Sequence, residues 1–69
     1  MPKYEIVVYW EPKDKIFVAE VPDLPGCAAH GRTQVEAVKS VGEAIALWLE
    51  TAREFGKEIP QPREHRLAA

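Results

Sequence analysis

The chain has one cysteine and two histidines in 69 residues, too few for an intrachain disulfide or a closed zinc site. It has no excess of basic residues. Nine Lys and Arg stand against eleven Asp and Glu, a formal net charge of −2, which argues against a general phosphate-binding face. No apolar run is long enough for a membrane, and Met1-Pro2-Lys3 leads straight into a strand-like segment without a signal-peptide core. No glycine-rich phosphate loop, nucleophile elbow or Ser, His and Asp set is legible, so no catalytic apparatus is expected. These absences leave a single small domain, expected to be soluble, cytoplasmic and free of cofactors.

What is present is a good supply of apolar residues, 46% of the chain. A domain this short buries only about 60% of its unfolded surface, so its core is small and help from another chain is expected.

The chain reads as an α+β domain, with strands over about 3–10, 15–21 and 27–31, a helix over about 34–55 and a tail at 57–69. This is a three-stranded antiparallel sheet packed on one long helix, with the tail as the place for a short final strand. Glu11-Pro12-Lys13-Asp14 makes the first turn. Pairing Trp10 with Lys15 sets Val8 opposite Phe17, Ile6 opposite Ala19 and Tyr4 opposite Val21 on one face. The other face then carries Val7, Tyr9, Ile16 and Val18, with Glu5 facing Glu20 as an unfavourable like-charge pair.

Pro22-Asp23-Leu24-Pro25-Gly26 reads as a rigid connection, with Gly26 free to take a positive φ. Thr33 and Glu36 have capping-box spacing, in which hydroxyl and carboxylate satisfy orphan amides. Val38, Val41, Ile45, Trp48 and Leu49, with Ala37, Ala44 and Ala52, form the stripe that faces the sheet. Gly42, unfavourable within a helix, is expected to pack closely on the sheet, and Gly56 to cap the C-terminus.

Cys27 and His30 have half the spacing of a zinc site, but on a strand they point to opposite faces, so no metal is expected. Glu5, Glu20 and Asp23 invite comparison with magnesium-holding carboxylates, yet no further acid is placed to join them. Trp48 reads as core and Trp10 as core edge or interface.

The run Phe17-Val18-Ala19-Glu20-Val21-Pro22-Asp23-Leu24-Pro25-Gly26-Cys27 resembles the signature of the HicB-like antitoxin family. Gly31-Arg32-Thr33, then Glu36-Ala37, Ala44-Ile45, Trp48-Leu49 and Gly56 with Ile59-Pro60-Gln61-Pro62 follow in the family's order. Departures are a first turn without glycine and an arginine at 32, where an acidic or polar residue is usual. The resemblance implies part of a ribonuclease-H-like fold and a HicA-type partner, a small RNA-cleaving toxin that is neutralised by occlusion. Many relatives carry a C-terminal DNA-binding segment. This sequence ends before one, so direct DNA binding is not expected. The alternative is a self-assembling structural or regulatory module without a toxin, and residual nuclease activity is a third reading. Self-association is expected through the face of Val7, Tyr9, Ile16 and Val18, or through an unpaired sheet edge.

Overall fold

Pro12 has no N–H to give a ladder, and the first strand stops just before it. In the computed structural model, which describes residues 4–63, β1 (Val7–Glu11) and β2 (Ile16–Glu20) flank a four-residue turn. The Glu11 carboxylate accepts the Lys13 amide at 3.1 Å, and Lys15 takes a left-handed φ of 54°. β3 (Ala28–Gly31) pairs antiparallel with β2, giving the order β1-β2-β3. An α+β meander sheet followed by one long helix is the architecture expected from the sequence.

The register is not the expected one. Trp10 lies opposite Phe17, Val8 opposite Ala19 and Val7 opposite Glu20, a slip of two residues, because Glu11 extends the strand and Lys15 joins the turn. A slip of two preserves the faces, whereas a slip of one would reverse them. It also removes the expected Glu5–Glu20 opposition. Glu20 instead accepts the Tyr9 hydroxyl hydrogen at 2.6 Å.

Between β2 and β3 the chain folds into a plug. Val21 N–H reaches the Cys27 carbonyl, Leu24 N–H the Val21 carbonyl and Cys27 N–H the Leu24 carbonyl, with Gly26 at φ 79°. The two prolines sit outside, where a missing donor leaves nothing unpaired, and Leu24 is fully buried.

The helix α1 (Gln34–Glu54) starts at Thr33, whose Oγ1 accepts the Glu36 amide at 3.1 Å. Only this half of the expected capping box forms as such; the Glu36 carboxylate meets the Thr33 hydroxyl, at 3.4 Å, rather than a backbone amide. At the other end Lys57 N–H bonds the Ala52 carbonyl and Gly56 N–H the Arg53 carbonyl, a Schellman cap with Gly56 at φ 66°.

Ala37, Val41, Ile45 and Leu49 are buried on the helix against Ala19, Val21, Leu24 and Cys27, and Ala52 is buried near the helix end. Val38 departs from the expected stripe and is 43% exposed, because the helix lies over β3 and β2 and barely reaches β1. Gly42 also departs: a methyl group there would touch nothing within 4 Å, so close packing does not explain it. The close approach falls at Gly31 instead, where an added Cβ would lie 2.6 Å from the Ala37 nitrogen.

The tail crosses back over the domain. The Tyr4 hydroxyl donates to the Pro60 carbonyl and Ile59 packs on the core. No strand forms over residues 57–63; residues 64–69, the rest of the tail that was expected to hold a final strand, lie outside the described residues.

Candidate protein-binding surface

The Val21–Cys27 plug gathers most of the signature residues, and each has a local task. Ala19, Leu24, Cys27 and Ala37 are core. Pro22 and Pro25 brace the plug from outside, and the Pro25 carbonyl accepts the Trp48 indole N–H at 2.9 Å. Asp23 is 5% exposed yet charged, and its oxygens accept the Arg63 backbone amide at 2.8 Å and Nε at 2.9 Å. Gly26 supplies the left-handed turn, Gly31 the contact with the helix start, and Thr33 with Glu36 the cap. Glu5, Glu20 and Asp23 do not form a cluster of three among the described residues: Asp23 is turned to the tail, and Glu20 to Tyr9 on the open face.

Among the described residues, three surfaces stand out as open to contact. The first is the sheet face opposite the helix, where Val7 and Tyr9 are 46% and 39% exposed and Ile16 and Val18 half-buried. On this face Tyr9, Val18 and His30 lie side by side across the three strands. The second is a shallow hollow of about 510 Å³ beside β1, where Val8 meets Val35 and Val38. Trp10, 49% exposed and stacked edge-on against Phe17 at 5.0 Å, belongs to the same sheet face as Val8. The third is a groove of about 650 Å³ between the plug and the last helical turns, lined by Pro25, Cys27, Leu47, Trp48 and Pro60.

Little reactive chemistry is available at these surfaces. Burial pushes the Cys27 thiol above its usual range, so it stays protonated rather than becoming a nucleophile. Hydrogen bonding to Glu20 raises Tyr9 likewise. Among the described residues, no three His, Cys, Asp or Glu side chains cluster as a metal site would require. No described helix is long and apolar enough to cross a membrane.

Arg63, the Trp48–Pro25 bond and the Val8–Val35–Val38 hollow were not anticipated from the sequence. Val35 carried the one usable signal, an apolar residue off the helix stripe.

An antiparallel meander, a proline-braced plug and one long helix define a small α+β domain whose contact surfaces are apolar. The family of HicB-like antitoxins of bacterial toxin-antitoxin systems matches residues 4–68, and the chain belongs to it. Among similar proteins, a UPF0150 protein of Thermoplasma acidophilum is 34% identical over 59 residues, covering 86% of this chain and 84% of its own length. A UPF0150 protein of Synechocystis is 40% identical over 57 residues, 83% of this chain and 77% of its own. One from Archaeoglobus fulgidus is 37% identical over 51 residues, 74% and 72% respectively. No solved structure gives a significant match. The family ties the chain to toxin-antitoxin systems and to a regulatory role.

Proposed function

We propose that this chain is a non-catalytic antitoxin that binds a small RNA-cleaving toxin of the HicA type and keeps it from its substrate by covering it. The observation that carries this reading is the family match across residues 4–68, which includes the plug, the capped helix and the returning tail. The uncovered apolar surfaces support it, because a protein that acts by occlusion needs contact area rather than a reactive centre. The action requires the compartment that holds cellular RNA, so the chain works in the cytoplasm. The near-balanced charge favours protein contact over direct DNA contact.

Coexpression with a HicA-type toxin, sought as a small basic protein encoded beside this chain, tests the reading. The chain is expected to restore growth and to co-purify with that protein. Persistent toxicity without co-purification would favour the module that has no toxin. Purified chain incubated with RNA and Mg²⁺ is expected to leave the RNA intact; cleavage lost in Glu5→Gln or Glu20→Gln would make it a nuclease.

A further inference from the structure

We propose that the sheet face opposite the helix is self-complementary and takes a second copy of this chain, with the two β2 strands stacked along a two-fold axis. The inference does not depend on the antitoxin reading.

The layout of the face carries it. Its middle strand presents Ile16 and Val18, both apolar and incompletely covered. The β1 side bears Glu11 at one end and Tyr9 next to it; the β3 side bears exposed His30 beside Val18, and exposed Arg32 just past Gly31 at the Glu11 end. Acid thus lies toward one edge of the sheet and base toward the other.

A two-fold axis along β2 lays each β1 over the partner's β3. Ile16 and Val18 then meet their own copies at the centre. Glu11 comes opposite the Arg32 end of the other sheet, and Tyr9 comes opposite His30. A two-fold axis across the strands would instead set β1 on β1 and gather Glu5 and Glu11 from both copies. Charge therefore selects the first arrangement.

Glu20 is the residue that needs an account, because it also belongs to β2 and would otherwise meet itself. Tyr9 draws its carboxylate toward β1, at 2.6 Å, and so away from the axis and toward the partner's His30. Lys13, Asp14 and Lys15 lie in the turn beyond the strand ends, at the rim.

Size sets the strength. Two strands of five residues and one of four make a footprint of about 14 by 17 Å, well short of the ~800 Å² per partner of a standard interface. The dimer is accordingly weak and reversible, forming at high-micromolar concentrations and above.

Sedimentation equilibrium over low-micromolar to near-millimolar concentrations tests this, with circular dichroism to confirm that each variant is folded. The chain is expected to show a monomer–dimer equilibrium that Val18→Lys abolishes. Val7→Lys, at a position already exposed, should weaken it if Val18→Lys does not fold. Glu11→Arg should weaken association about tenfold or more, and the double variant Glu11→Arg with Arg32→Glu should restore it, because the swapped charges re-form the same pairs. A monomer throughout, or a dimer indifferent to both lysine variants, overturns the proposal. So does a dimer lost instead in Val35→Lys, which would move the contact to the hollow beside β1. Unchanged self-association in Val18→Lys with loss of toxin neutralisation would assign the face to the toxin, which also overturns it and leaves the antitoxin reading intact.

Discussion

Asp23 and Arg63 lie 40 residues apart, and a single carboxylate joins them twice, through the backbone amide and the Nε of the arginine. The two bonds differ in worth. The carboxylate is buried, but the arginine side chain is 72% exposed, so its ion pair is screened and contributes at most about 1 kcal/mol. The amide bond to a buried charge is the stronger contact, about 1.5–3 kcal/mol. Arg63→Ala, which keeps the amide, is therefore expected to cost under about 1 kcal/mol, and Asp23→Ala about 2 kcal/mol or more. Urea unfolding of the two variants checks the order; equal losses would refute it.

Gly31 is the tightest point of the fold. A methyl group there would strike the Ala37 nitrogen and Glu36 Cβ at 2.6 and 2.7 Å, and backbone cannot move aside as a flexible side chain can. Gly31→Ala is expected to destabilise by about 1–3 kcal/mol, or to shift the helix start off β3. Thermal unfolding measures the loss, and an unchanged midpoint would mean that the helix start yields.

Gly42 carries the opposite expectation. It lies within α1 with open space where a Cβ would stand, so its cost to the helix is uncompensated in the isolated chain. Gly42→Ala should stabilise by about 0.5–1 kcal/mol. The same unfolding series reports it, and destabilisation would reveal a contact made at this position in an assembly.

Cys27 makes stability depend on pH. Burial raises its pKa, so the folded state holds the thiol proton more tightly than the unfolded chain does. That contribution is complete below the ordinary thiol value, about 8.5, and is lost as pH rises through the higher folded value. Urea midpoints measured upward from pH 8 are expected to fall more steeply for this chain than for Cys27→Ala. Parallel curves would show that the thiol does not contribute.

The strands, the plug and both helix ends were legible because their signals are local: alternation, two prolines with a glycine, a threonine cap and Gly56. The β1–β2 register was displaced by two residues because a loop of four fits at either position; the left-handed Lys15, with no glycine to mark it, decides between them. The face assignments survived the slip by parity alone. Periodicity places Val38 in the core because it tells which side of a helix is apolar, not how far the helix extends over a sheet. The Asp23–Arg63 clamp was illegible for another reason. Nothing within a few residues of either partner announces a contact across 40 positions, and a polar tail reads as solvent-exposed until its backbone is seen against a buried carboxylate. For the candidate surface, the apolar outer face followed from alternation, whereas its division into acidic and basic sides required the β2–β3 register.

The bond from the Tyr4 hydroxyl to the Pro60 carbonyl brings positions 4 and 60 side by side. The described fold is thus nearly closed as a loop, and its connectivity can be opened elsewhere with little change in contacts. A circular permutant with a glycine-serine bridge from beyond Arg63 back to Tyr4, so that the Asp23 clamp is retained, and new termini in the exposed turn at 12–15 would keep every core pairing. It would also turn the β1–β2 hairpin, now closed by four residues, into a pairing between the two ends of the chain. Its folding would slow for want of that local closure, while its final stability changed little.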